Sequence, residues 1–215
     1  MLRTLAISKR ADPAYIEAFK TLVQRLLRSA KVTSKQPITM YLAGGSAVHL
    51  YTGARMTDDV DAVFDRKLLM SSDLAVIYRD SKGTARSIYF DANYNESYAL
   101  LHEDAHRDAV RLSLEGVEGA RIFVLQPLDL AVSKLARFSE IDRKDILQLA
   151  ESGLITANPL RKRAEDALPG YVGNPDSVHT SINLACRDIE ALKIKGQGTR
   201  DKGRGTADNE KREGK

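Results

Sequence analysis

Three aspartates fall within four positions, Asp58, Asp59 and Asp61, in a run whose other members are largely apolar or small: YLAGGSAVHLYTGARMTDDVDAVF, residues 41–64. Carboxylates this close repel one another, so a fold carries them only where water, a basic side chain or a metal ion offsets the repulsion. The flanking residues narrow the choice. Ile38 to Ala43 reads as a short buried strand, Gly44-Gly45 as a turn, and Ser46 as the cap of a short helix ending near Gly53. Asp59 to Phe64 reads as a second strand. Alternate strand residues share a face, so Asp59 and Asp61 project together, while Asp58 points the other way and bonds a backbone amide at the strand edge.

Two aligned carboxylates suit one or two divalent cations, magnesium or manganese, which take hard oxygen ligands and share substrate phosphates. Glycines without Cβ atoms let backbone N–H groups approach a phosphate, and a helix starting at Ser46 adds unpaired N–H groups. The Ser46 hydroxyl either bonds that phosphate or caps the helix. Strand, Gly-Gly-Ser, short helix and Asp-x-Asp strand in this order point to metal-assisted phosphoryl or nucleotidyl transfer.

The rest of the chain frames this segment. Asp12-Pro13 opens an amphipathic helix carrying Tyr15, Ile16, Phe19, Leu22, Val23, Leu26 and Leu27. Lys67 to Arg79 reads as helix and then loop, Ser87 to Phe90 as a third strand and Arg121 to Leu125 as a fourth. Pro127 to Phe138 is predicted helical. Ser139 and Asp142 have capping-box spacing for a helix that Gly153 ends, and a last helix covers Ser177 to Leu192. The predicted fold class is α+β. A small mixed sheet with flanking helices spans 1–126, and a helical region packed on it spans 127–192.

Composition limits the partners and the compartment. No run of 18 apolar residues exists, the N-terminus lacks an apolar leader core, and Cys186 is the single cysteine. A cytoplasmic protein without membrane partners is expected. The charge of +4 lies entirely in residues 193–215, where eight Lys/Arg face four Asp/Glu. That tail is predicted to be disordered, serving as a solubilising segment or a weak nucleic-acid contact. His102 and His106 have zinc-compatible spacing but no further ligand pattern, His49 reads as structural, and Cys186 as a core residue.

The segment LAGGSAVHLYTGARMTDDVDAVF resembles the signature of the nucleotidyltransferase superfamily, the polymerase-beta-like fold. Its Arg55-x-Thr57-x-Asp59-Val60-Asp61 form is similar to the DUF6036-type branch, related to AbiEii-like toxins of toxin–antitoxin systems. A second block supports this, with Lys134-x-x-Arg137 followed by Arg143-Lys144-Asp145. The resemblance implies a metal-dependent transfer of a nucleotide from an NTP to a hydroxyl acceptor. RNA, with tRNA first, is the leading acceptor, and a cognate antitoxin protein is an implied partner. A catalytically silent binding protein and a small-molecule (antibiotic) nucleotidyltransferase remain open.

The family also implies a third acid on a later strand. Asp91 is the candidate, set against a plain turn acid before Asn93 or a contribution from Asp145. Lys134 and Arg137 sit three apart in the predicted helix and suit a triphosphate, or pair with Asp129, Asp142 or Asp145. Arg55 either braces the acids or touches phosphate. The aromatic set Tyr89, Phe90, Tyr94 and Tyr98 either stacks on a base or packs in the core.

Overall fold

The computed structural model describes residues 4–68 and 74–204, with 193–204 as backbone alone. Helix α1 (Pro13–Ser29) starts as its sequence dictates: Asp12 Oδ1 accepts the Ala14 and Tyr15 N–H groups, and Pro13 needs no partner. Its buried face carries Tyr15, Ala18, Phe19, Leu22, Val23, Leu26 and Leu27.

Strand β1 (Ile38–Leu42) leads directly into helix α2 (Gly44–Thr52). The acidic segment, read as one strand, is two: β2 (Asp59–Val60) and β3 (Ala62–Phe64). Strands β4 (Val76–Arg79) and β5 (Ala85–Phe90) follow, then β6 (Val110–Leu112) and β7 (Ala120–Val124). One sheet has the order β3-β1-β7-β6 and the other β2-β5-β4. β1 runs parallel to β7 and antiparallel to β3, while β2 runs parallel to β5. The acidic segment therefore leaves one sheet and joins the other at Asp61, whose carbonyl accepts the Ala43 N–H at 2.9 Å.

Helices α3 (Pro127–Ser133), α4 (Glu140–Glu151), α5 (Ala157–Ala167) and α6 (Pro175–Arg204) complete the order. One hydrophobic cluster runs from Tyr15 in α1 through the β1 centre, Ile38, Met40 and Leu42, to Ile189 in α6. The α+β class holds. Among the described residues no helix is long and apolar enough to cross a membrane.

Four expectations need correction. Val76–Arg79, read as helix or loop, is a strand because it pairs antiparallel with β5, from Val76 opposite Ile88 to Arg79 opposite Ala85; residues 69–73 lie outside the described residues. The helix from Pro127 stops at Ser133, and Phe138 takes φ 45°, so Lys134 and Arg137 lie in the turn after it. Strand β6 and helix α5 were not anticipated; Pro159 is tolerated in the first turn of α5. The last helix reaches Arg204, inside the segment read as a disordered tail, and 205–215 lie outside the described residues. The Ser139–Asp142 capping box and the stop at Gly153, φ 73°, form as expected.

Candidate active site

A cleft of about 610 Å³ opens where the two sheets and the α3–α4 turn meet. Asp59, Asp61 and Asp91 line it together with Gly44, Gly45, Arg55, Lys134 and Arg137. Ser46, the other residue predicted to meet phosphate, does not. It is the third residue of α2, not its cap, and its hydroxyl is committed to the interior. Tyr15, fully buried, donates to Ser46 Oγ at 2.7 Å, and Ser46 Oγ donates to the Asp59 carbonyl at 2.9 Å. Ser46 thus holds the acidic strand from behind and has no hydroxyl proton left for a phosphate.

The residue before α2 is Ala43, and no side chain caps the helix. Gly44 and Gly45, the first residues of α2, line the cleft, and no side-chain acceptor caps the helix there. Gly44 is required twice over. Its φ is 60°, and a Cβ there would overlap the Asp61 carboxylate. Gly44→Ala is expected to abolish any activity of the site and to destabilise the fold by more than the ~1–2 kcal/mol of left-handed strain alone. Gly83→Ala is the control, since Gly83 has φ 81° and open space around it. Melting and ligand titration of the two variants separate strain from overlap.

Electrostatics sets Asp61 apart from a solvated acid. Burial first, then the charges of Asp59 and Asp91, push the Asp61 carboxyl up to about 6, against the pull of Lys134 and Arg137. The Thr57 hydroxyl donates to Asp59 Oδ1 and fixes its rotamer. Asp91 Oδ1 accepts the Asn93 N–H at 2.8 Å, so Asp91 is a turn acid that also faces the cleft.

The cations are anchored beneath the acids. Lys134, read as a helix-face residue, is buried, with Nζ 2.8 Å from Asp145 Oδ2 and 3.7 Å from Asp142 Oδ1. Arg55 forks onto the same Asp145 through Nε at 3.2 Å and Nη2 at 3.0 Å. Arg137 forks onto Asp142 at 2.7 and 2.8 Å and remains largely exposed. Burial works to raise the Asp142 pKa, but Arg137, Ser139 and Lys134 outweigh it and hold the carboxyl at about 2. Asp145 thus serves as a brace under the cations. Asp129, the remaining partner considered for Lys134, pairs with Arg163 instead, at 2.8 Å.

Asp142, Thr57 and Tyr15 were not foreseen as site residues. Thr57 stands inside the motif that carries the resemblance, and Asp142 was read as a capping residue and as one of the acids that could pair with Lys134 and Arg137, as it does. His49 is structural as expected: its Nε2 accepts the Asp12 N–H, its Nδ1–H donates to the Ala54 carbonyl, and burial lowers its pKa. Cys186 is buried in the core. Phe90 packs in the core, whereas Tyr94 and Tyr98 line the cleft and Tyr89 lies outside it, partly exposed.

The donor set is oxygen-only, which fits a hard divalent cation. Among the described residues no three His, Cys, Asp or Glu side chains gather closely enough to hold a metal ion. Asp59, Asp61 and Asp91 are therefore no ready-made three-acid cage. The acids fit instead a cation that takes one or two carboxylates and completes its shell with water and phosphate.

An uncapped helix that opens with two glycines thus faces two acids at a strand junction across one cleft. The chain belongs to the DUF6036 family, nucleotidyltransferases of unknown function, whose model matches residues 18–189. No curated protein and no solved structure matches the chain.

Proposed function

We propose that the protein transfers a nucleotide from an NTP to a hydroxyl of an RNA acceptor, tRNA first, in a metal-dependent reaction. The observation that carries this reading is the meeting of Asp59 and Asp61 with Lys134, Arg137 and the open end of α2 in one cleft. Asp59 and Asp61 would hold a Mg²⁺ or Mn²⁺ ion, which when bound would supply neutralisation of phosphate charge and activation of the attacking oxygen. The Gly44 and Gly45 N–H groups bind phosphate oxygens. Lys134, one of whose three N–H donors serves Asp145, offers the others to the triphosphate, and Arg137 offers the Nη1 group its Asp142 fork does not use. The acceptor hydroxyl oxygen bonds to the α-phosphorus and gives its proton to solvent, as the bond from the α-phosphorus to the α–β bridging oxygen breaks and pyrophosphate leaves. Thr57 and the Tyr15–Ser46 chain keep Asp59 in place throughout.

A toxin acting in the cytoplasm, restrained by a cognate antitoxin protein, is the biological setting that the resemblance to AbiEii-like toxins supports. The test is incubation with Mg²⁺ or Mn²⁺, each labelled NTP, and total RNA, total protein or an aminoglycoside in separate reactions. Label is expected on RNA, and none is expected with Asp59→Asn. Label on the drug moves the activity to small molecules. No label on any acceptor, with NTP binding retained, leaves a silent binding protein.

A further inference from the structure

Two of the large side chains in the cleft are exposed, and phosphate and metal chemistry leaves them unused. Tyr98 is 78% exposed and Ile141 52% exposed, and both line it. Neither belongs to the hydrophobic core or packs against it. A single exposed apolar residue needs no explanation. Here, however, the backbone beneath Tyr98 is clamped. Tyr98 ends the 3-10 turn Glu96–Tyr98, and Asn95 Oδ1 accepts the Ser97 N–H at 2.7 Å. The Glu96 carboxylate meets His106 Nε2 at 3.0 Å, and the His106 ring stacks on Tyr41 at 4.2 Å. The Ala99 N–H closes onto the Glu96 carbonyl at 3.0 Å, and Leu100 is fully buried. Ile141 is held likewise, in the first turn of α4, by the Ser139–Asp142 capping box. Two anchored segments thus present an aromatic and an aliphatic side chain to the cleft, and both stay exposed among the described residues.

We propose that Tyr98, assisted by Ile141, is the nucleobase subsite of the cleft, with the base of the donor NTP stacked on the Tyr98 ring. The inference rests on the nucleotidyltransferase reading of this cleft. The cavity lined by Tyr98 and Ile141 is also lined by Lys134, Arg137 and the acids, so the base and the phosphates of one nucleotide share a single cleft of about 610 Å³. Every base offers a π-face, so stacking selects a nucleotide over bare phosphate and discriminates little among bases.

The chain has no tryptophan, so Tyr98→Trp installs a sole indole reporter. With Mg²⁺ present, ATP or UTP is expected to change the fluorescence of the Tyr98→Trp protein, and tripolyphosphate is not. Tyr98→Ala is expected to weaken NTP binding about tenfold while leaving tripolyphosphate binding unchanged. Tyr98→Phe should keep NTP affinity, and Ile141→Ala should lose a few-fold. Melting curves should show all these variants folded, since both side chains lie outside the core. NTP affinity unchanged in Tyr98→Ala overturns the subsite while the reading of the cleft stands. A raised KM for RNA with NTP affinity intact gives the ring to an acceptor base and also overturns the donor assignment. If neither NTP nor tripolyphosphate binds the wild type, the reading of the cleft itself fails.

Discussion

Asp61→Asn is expected to abolish nucleotide transfer and, at neutral pH without metal, to stabilise the fold. The Asp61 carboxyl is pushed up to about 6 from the ordinary 3.8, by burial first and then by Asp59 and Asp91. A carboxyl whose pKa is raised on folding favours the folded state only while protonated. That advantage is complete below pH 3.8, fades as pH rises through 6, and leaves a charged group in an unfavourable place above it. The penalty at pH 7.5 is roughly 2–3 kcal/mol. Asparagine removes the charge, while the Ala43 N–H keeps its bond to the backbone carbonyl. The variant should therefore melt higher than wild type at pH 7.5 and close to it at pH 4. Mg²⁺ should raise the wild-type melting temperature at pH 7.5 and leave that of Asp61→Asn nearly unchanged. Transfer should fall at least a hundredfold, as it should in Asp59→Asn. Wild-type transfer in either variant would remove the acid pair from the reaction.

The sequence signalled this site because its acids are close in the chain and interrupt an apolar run. Their separation by Val60 already sets both carboxylates on one side. The change of sheet at Asp61 was hidden, because one continuous strand and two short strands in sequence look alike until their partners are known. Ser46 shows the same limit. A serine after two glycines reads as a cap, yet helix α2 starts at Gly44, and burial turns the hydroxyl toward Tyr15 and the Asp59 carbonyl.

Long-range pairing explains the remaining differences. Val76–Arg79 is a strand only because β5 lies beside it, and a four-residue segment carries too little periodicity to say so. Helix α5 is rich in charge, and its buried positions, Ala157, Leu160, Ala164 and Ala167, are mostly small alanines, so its apolar stripe is faint in sequence. The cations were legible as residue types. The depth of Lys134 was not, because Asp145, which draws it inward, sits on helix α4. A basic residue three positions from an arginine reads as a solvated face until the chain turns at Phe138 and folds it under the acids.

Lys134 therefore carries a prediction in which stability and catalysis must be separated. Its ammonium is buried between Asp142 and Asp145, so Lys134→Met removes a cation from two acids that burial penalises. Breaking a buried pair costs about 3–5 kcal/mol when the remaining charge is orphaned. Here Asp145 keeps Arg55 and Asp142 keeps Arg137, so a loss of about 2–3 kcal/mol is expected. Transfer should fall about a hundredfold, the equivalent of one charge-assisted contact to phosphate. The Asp61 carboxyl should also titrate higher, since Lys134 is one of the two groups that hold its pKa down. Lys134→Met combined with Asp145→Asn supplies the discrimination. Removing the acid with its cation also unpairs the half-exposed Arg55, so about 1 kcal/mol of stability should be recovered by denaturant titration. Transfer should stay low, because the phosphate contact is still missing. Recovery of both together would make Lys134 a structural cation alone, and the triphosphate would then rest on Arg137 and the N–H groups of α2.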